Sequence, residues 1–383
     1  MTAPGSPAVM LVAGEASGDL HGAALCRALR ELDPRCRLLG MGGARMATEG
    51  MDVLIDVTAK AVTGGSEAFS QVPRLYRAYR ELSAVLDGAD RPSVLVLIDF
   101  PEFNLRLARA ARRARVPVVY FIPPQVWAWR GWRVKAMRRL VSLVLAVFPF
   151  EAPLYRRAGV PVEFVGHPLL DQLRAAPTRE MARRRLVIAD GATVVALLPG
   201  SRHQEIERML PPMRAAAAEI VRAAPGTRFV LGLAPTIERA LVARHLAGGP
   251  SVEIVKNQTH DVLRAADLAL VTSGTVTLEA ALLGTPMVVC YRLSLASELM
   301  VRLLIRVPWV SLANLTLGRA VVPELYRQTM MNEHLAREAL RLLTDAGARE
   351  AQRAAFGELA GQLGEAGVGT RAARLVLAQA GAA

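Results

Sequence analysis

Short apolar runs alternate with longer amphipathic ones along most of this chain. In the first half the apolar runs are Ala8–Ala13, Cys36–Gly40, Ser93–Asp99, Val116–Ile122, Leu143–Phe148 and Val162–Val165. Helical patterns such as His21–Leu32 and Asn104–Arg115 lie between several of them, which predicts βαβ units and a parallel sheet. The second half repeats the rhythm with strands expected at Thr193–Leu198, Arg228–Leu233, Val252–Val255, Leu268–Thr272 and Met287–Tyr291. After about Glu333 the chain is Ala- and Arg-rich, with helical periodicity and no strand.

The fold class expected is therefore α/β: two Rossmann-like, doubly wound domains with a helical C-terminal tail. A chain of 383 residues suits this, because one core rarely organises more than roughly 250 residues. The break is expected between His167 and Asp190, where Gly166-His167-Pro168 ends a strand and a basic helix, Arg179–Arg185, precedes the next. The expected domains are 1–170 and 186–335, with 336–383 as a tail packing back on the first.

Hydrophobic residues make up 52% and charged ones 21%, which excludes a disordered chain. Net charge is +13, carried almost wholly by Arg, since Lys occurs only at Lys60, Lys135 and Lys256. Such charge serves nucleic acid, anionic lipid or phosphorylated substrates alike. Aromatics at 5% give nucleic acid little support. Cys26, Cys36 and Cys290 have neither CxxC nor metal-ligand spacing, so neither a disulfide framework nor a zinc site is expected. The run Leu140–Phe150 is about half the ~20 residues of a spanning helix and reads as a buried strand. A cytoplasmic protein with at most peripheral membrane contact is predicted.

Five segments could carry chemistry. The turn Gly14-Glu15-Ala16-Ser17-Gly18-Asp19 follows the first strand without GxGxxG spacing. It is either a tight turn with Ser17 or Asp19 as a helix cap, or an acceptor or phosphate contact at the carboxyl edge of a sheet. Asp99 ends a strand in Asp99-Phe100-Pro101-Glu102-Phe103-Asn104 and either caps a helix beginning near Asn104 or takes a proton from an attacking hydroxyl. Glu102 is a second carboxylate within reach. Trp127, Trp129 and Trp132 beside Arg130 and Arg133 form either core or an apolar, cationic wall for an amphiphilic ligand. From Val62 to Arg80, Phe69, Val72, Leu75, Tyr76 and Tyr79 fall at helical spacing among Arg74, Arg77 and Arg80, suiting an interfacial helix or an ordinary surface helix. Pro73 argues for a helix break or start there.

The fifth is a pair of loops, Leu198-Pro199-Gly200-Ser201-Arg202 and Thr272-Ser273-Gly274-Thr275 leading to Glu279. Each follows a predicted strand and enters a predicted helix, where backbone N–H groups face a ligand. Arg202 offers a fork to a diphosphate, and Glu279 could accept from ribose hydroxyls. Two such loops in one domain favour a nucleotide-diphosphate site over a pair of structural Gly-Ser turns.

The ordered motifs Ala13–Asp19, Gly40–Met46, Asp99–Asn104, Val126–Arg130, Phe164–Pro168, Leu198–Arg202, Ser273–Thr275, Pro286–Val289, Tyr291-Arg292 and Val310–Leu315 through Gly318-Arg319 resemble those of the lipid-A-disaccharide synthase family. The resemblance covers most of the chain, although Thr63–Glu67 and Pro123–Gln125 depart from the family's usual residues. It implies an inverting, metal-independent, cofactor-free glycosyltransferase of the two-Rossmann GT-B type. The implied reaction moves 2,3-diacylglucosamine from its UDP conjugate to 2,3-diacylglucosamine 1-phosphate, giving UDP and the tetraacyl disaccharide phosphate precursor of lipid A. By position it makes Asp99 the base. Arg202, Ser273, Gly274, Thr275 and Glu279 would hold UDP, with Asn314 and Arg319 lining the cleft. Glu15, Ser17, Asp19, Phe69, Val72, Trp127 and Arg130 are candidates for acceptor or membrane contact. The implied setting is cytoplasmic, peripherally on the inner membrane, with a homodimer allowed and no nucleic acid. Another UDP-sugar transferase or epimerase, and a non-enzymatic basic scaffold, are the competing readings.

Overall fold

The structure, a computed structural model, describes residues 7–56, 68–125, 132–292, 308–326 and 328–381. Two compact units divide the chain: residues 1–171 with 363–383, and residues 172–362.

In the first unit seven strands form one parallel sheet. They are β1 (Ala8–Ala13), β2 (Arg37–Gly42), β3 (Asp52–Asp56), β4 (Val94–Ile98), β5 (Val118–Phe121), β6 (Leu143–Ala146) and β7 (Val162–Phe164), in the order β3-β2-β1-β4-β5-β6-β7. Central strands β1 and β4 are wholly buried from Val9 to Ala13 and from Val94 to Ile98, which is why they read as unbroken apolar runs. Strand β3 was not expected. Its residues alternate between exposed and half-buried at the sheet edge, so it lacks the apolar run that marks the others. The long run Leu140–Phe150 yields only the four-residue β6; Phe148 and Phe150 then stack at 5.2 Å ahead of the helix Glu151–Arg157.

The second unit repeats the plan. Strands β8 (Val194–Leu198), β9 (Arg228–Leu233), β10 (Val252–Lys256), β11 (Leu268–Thr272), β12 (Met287–Cys290) and β13 (Glu324–Leu325) lie in the order β10-β9-β8-β11-β12-β13. The two-residue β13 exists only through its pairing with β12, so no sequence pattern announces it.

Each sheet grows outward in one direction and then restarts on the other side of its first strand. The restart falls between β1 and β4 in one unit and between β8 and β11 in the other. Loops leaving the carboxyl ends of those two strands diverge there and open a crevice. Register brings them level: Ala13 pairs with Ile98, so Gly14 and Asp99 leave together. Leu198 pairs with Val271, which sets Pro199-Gly200 beside Thr272-Ser273.

Two features differ from expectation. Helix Ala68–Asp87 runs through Pro73 instead of breaking. Ala78, Leu82 and Leu86 on that helix are buried in the first core, and this packing outweighs the ~3 kcal/mol that an interior proline costs. The C-terminal helices, anticipated as one tail on the first domain, are shared. Helix Gln328–Thr344 buries Leu335, Ala336, Ala339 and Leu342 in the second core, and Gln352 of Ala346–Gln362 bonds both backbone groups of Met287. Only Val368–Gly381 joins the first unit. It lies against helix Ala16–Leu32, anchored by Arg371 donating to the Val165 carbonyl.

Candidate active site

In the first unit the crevice residue is Asp99, and its backbone is unusual. Asp99 and Phe100 both adopt left-handed conformations, with φ of 48° and 47°. Non-glycine residues adopt such angles at a cost, and two in succession need support from their surroundings. Three neighbours provide it here. The Asn104 amide donates to the carbonyls of Ile98 and Asp99, at 3.2 and 2.7 Å, and the Tyr120 hydroxyl donates to the Asp99 carbonyl at 2.7 Å. Both residues are fully buried. The third is Gly14, where a Cβ would sit 2.1 Å from the Phe100 ring; only glycine leaves that ring its place.

The Asp99 carboxylate accepts a hydrogen bond from the Phe100 N–H and does not cap the helix that follows. Helix Pro101–Arg113 starts at Pro101, earlier than expected, with Phe100 at its N-cap and no side chain capping it. Asp99 is therefore not that helix's cap. Burial raises its pKa above the ordinary carboxylate range; Glu15 adds to the rise, a hydrogen bond from the Phe100 N–H pulls it partly back, and Glu102 contributes a further small increase. A carboxylate so placed is a stronger base than one in water.

Other first-unit candidates separate into two kinds. Glu15, the N-cap of helix Ala16–Leu32, and Ser17 in its first turn are exposed. Asp19 is buried and accepts hydrogen bonds from the backbone N–H groups of Gly43, Arg45 and Met46. Its carboxylate ties helix Ala16–Leu32 to the next short helix, so it is a structural link rather than a surface contact. Trp127 and Arg130 lie outside the described residues, as does the Phe69 side chain. Glu102 pairs with Arg133 of the neighbouring helix Trp132–Leu140. Val72 and Tyr76, one turn apart on Ala68–Asp87, are 59% and 62% exposed. They border a trough of about 920 Å³ whose walls include Leu75, Tyr79, Phe100 and Phe103, with Arg106, Arg109, Arg112 and Arg113 along it. That volume lies within the range of ligand pockets.

The second unit builds its crevice from small residues. Gly200 and Gly274 have φ of 115° and 153°, angles that only glycine takes without strain. After Gly200, the helix His203–Ala223 begins with Glu205 folding back. Its carboxylate accepts from the N–H groups of Ser201 (2.9 Å) and Arg202 (3.2 Å) and from the Arg202 guanidinium (3.0 Å). Arg202 itself is 78% exposed. The same N–H groups and guanidinium fork that hold this carboxylate can hold a phosphate.

Across the restart, Ser273 donates to the Val310 carbonyl at 2.7 Å, and Gly274 and Thr275 are exposed. Glu279 lies one turn into the helix Val276–Leu282, with His260 3.5 Å away. Asn314 differs from the expectation of a cleft residue. It is fully buried, its amide donates to the Val322 carbonyl and to Glu324, and its oxygen accepts from the N–H groups of Val321 and Val322. All its hydrogen-bonding capacity is used. With Glu324, which also accepts from Val310 and Ser311, it clamps the segment that Ser273 leans on. Arg319 pairs with Glu358 at the surface.

Among the described residues no group of His, Cys, Asp and Glu has the makings of a metal site. None of the described helices is long and apolar enough to cross a membrane.

Comparison with known proteins agrees with this layout. The model of a family described as lipid-A-disaccharide synthetase matches residues 9–373. The chain belongs to the lipid-A-disaccharide synthase family. A lipid-A-disaccharide synthase of Myxococcus xanthus is 42% identical over 98% of both chains, and one of Geobacter sulfurreducens is 41% identical over 100% of this chain and 99% of its own. Among solved structures, S. aureus MnaA with UDP superposes with a TM-score of 0.65 at 13% identity, covering 96% of this chain and 94% of that one. Acinetobacter baumannii MurG gives 0.59 at 14%, covering 97% and 99%. These likenesses place the fold in the GT-B class, two Rossmann-like units in one chain.

Sequence reasoning named Asp99, Arg202 and the Ser273 loop but missed Tyr120 and Glu205 as their supports. Tyr120 looked like any apolar strand residue. Glu205 stands three residues after Arg202, the capping-box spacing, and that was a readable signal.

Proposed function

We propose that this synthase-family chain transfers 2,3-diacylglucosamine from UDP-2,3-diacylglucosamine to the 6-hydroxyl of 2,3-diacylglucosamine 1-phosphate, with Asp99 as general base. The observation that carries the reading is the enforced corner at Asp99: a half-buried carboxylate with a raised pKa, at the crevice of its sheet. Its carboxylate takes the proton of the 6-hydroxyl as that oxygen attacks the anomeric carbon. The bond from that carbon to the diphosphate oxygen breaks, and UDP leaves with the electron pair. Attack opposite the leaving group inverts the centre and gives the β-linkage.

The second unit's loops serve the donor. Arg202 and the N–H groups of Ser201 and Arg202 exchange the Glu205 carboxylate for the diphosphate, and charge that develops on departure is met there. Ser273, Gly274 and Thr275 line the nucleotide, with Glu279 available to ribose hydroxyls. The first unit serves the acceptor. Its apolar trough takes acyl chains, and exposed Val72 and Tyr76 among arginines suit peripheral contact with the cytoplasmic face of the inner membrane.

Incubating the purified protein with both lipid substrates tests the reading. UDP and a tetraacyl disaccharide phosphate are expected by mass spectrometry, and UDP-N-acetylglucosamine alone should be left unchanged. Epimerisation of that sugar, or no disaccharide, would overturn it.

A further inference from the structure

A second, smaller pocket opens beside the trough. It holds about 270 Å³ and is lined by Pro101, Glu102, Leu105, Arg106, Arg109, Arg133 and Ala136. Glu102, Arg106 and Arg109 also line the trough, so the two spaces adjoin. One is apolar with a basic margin, and the other is dominated by guanidinium groups.

We propose that Arg106, Arg109 and Arg133 form the subsite for the acceptor's 1-phosphate and thereby set specificity for a phosphorylated acceptor, an inference that rests on the reaction proposed above. Arg106 and Arg109 stand at i and i+3 on helix Pro101–Arg113 and so share a face. Arg133 comes from the neighbouring helix, is only 5% exposed, and is held by Glu102. A buried guanidinium so fixed is pre-organised for planar, two-point contact with phosphate oxygens. Three guanidinium charges against the one Glu102 carboxylate leave two positive charges, which match a phosphate monoester of charge about −1.5 to −2 at neutral pH.

Spacing agrees with charge. Arg106 lies five residues beyond Pro101, roughly 8 Å along the helix axis, and Asp99 sits just before that helix. One hexose ring with its substituents spans a comparable length. A sugar whose 6-hydroxyl meets Asp99 can therefore present its anomeric phosphate to Arg106 and Arg109 while its acyl chains enter the trough. Phosphate on an anionic membrane lipid has the same chemistry, and the experiment separates the two sources.

Turnover is measured in neutral detergent micelles with diacylglucosamine acceptors carrying or lacking the 1-phosphate, for wild type and for Arg106→Ala/Arg109→Ala. With the phosphorylated acceptor the variant should lose roughly 10²-fold in kcat/KM, mostly through KM, because contacts to a charged group are removed. With the unphosphorylated acceptor it should change little, so discrimination between the two collapses. Arg106→Lys/Arg109→Lys should recover part of it, and UDP affinity should stay at the wild-type value, which shows that the protein is folded. A variant that keeps wild-type discrimination, or loses activity equally on both acceptors, overturns the subsite. Lost sedimentation with phosphatidylglycerol vesicles alongside unchanged discrimination assigns the arginines to the membrane surface and also overturns it. If wild type binds UDP yet makes no disaccharide from either acceptor, the reaction itself falls and the subsite with it.

Discussion

The corner at Asp99, after β4, and the loops at Gly200 and Gly274, after β8 and β11, lie where two sheets that share six positions of strand order restart, yet they are built oppositely. At Asp99 the chain forces bulky residues into left-handed backbone and braces them from behind with Asn104, Tyr120 and the gap left by Gly14. At Gly200 and Gly274 it uses residues with no side chain to obstruct, and gathers the Ser201 and Arg202 N–H groups and the exposed Arg202 guanidinium on the Glu205 carboxylate. A base must have one fixed direction and a controlled environment, so rigidity and partial burial are invested in it. A diphosphate is recognised by many weak donors converging on diffuse charge, so openness suffices. One topology thus supplies a crevice twice, and side-chain size decides whether it becomes a braced carboxylate or an open, glycine-lined loop.

The sharpest break of this comparison is Asp99→Ala. Turnover should fall by ~10²-fold or more while UDP affinity, measured by calorimetry, stays unchanged; normal turnover would remove the base from Asp99, and a matching loss only in Glu102→Gln would move it there. Arg202→Ala should do the converse. UDP binding should weaken by roughly 10-fold or more, as expected for losing a charge-assisted pair, with the acid limb of the pH profile unmoved.

Bracing is tested next. Tyr120→Phe deletes one hydrogen bond to the Asp99 carbonyl and should lower kcat several-fold, about 1 kcal/mol in activation free energy, without altering UDP affinity. Equal losses in both would make Tyr120 a general core residue.

The electrostatic prediction is finer. Because the folded pKa of Asp99 is raised, the rate should fall, as pH drops, at a pH above the usual carboxylate value of about 4. Glu15→Gln removes one negative neighbour and should shift that limb to lower pH. The same raised pKa means the folded state holds this proton more tightly than the unfolded one, so Asp99 lowers stability as pH rises through its titration. Asp99→Asn should therefore melt at a higher temperature than wild type at neutral pH.

The smallest effect concerns histidine. Burial holds His21 at about 4 and His167 at about 3, so neither should titrate between pH 5 and 8 by NMR. Since the unfolded chain takes up these protons near pH 6.5, both residues should reduce stability as pH falls below that value.

Much of this was legible along the chain. The apolar runs of β1, β4, β8 and β11 are legible because strands buried on both faces need no polar alternation. The glycines of the loops after β8 and β11 and the carboxylate at the end of β4 announced themselves by residue type and by place after a strand. Asn314 and Asp19 read as site residues but are clamps, since a buried polar side chain near a crevice has the same local signature whether it binds ligand or backbone. Pro73 read as a helix break or start because the tertiary contacts of Ala78, Leu82 and Leu86 are invisible from its neighbours.

By itself the sequence determined two strand-helix series, the identity of the groups able to carry charge, and the family. Tertiary structure alone decided that Asp99 and Gly14 leave adjacent strands at one level, that Tyr120 braces a backbone carbonyl, and that Arg133 joins Arg106 and Arg109 around one pocket. The reason is range. Hydrophobic periodicity and turn chemistry act within a few residues, whereas burial, strain and pKa depend on which distant segments the sheet order brings together.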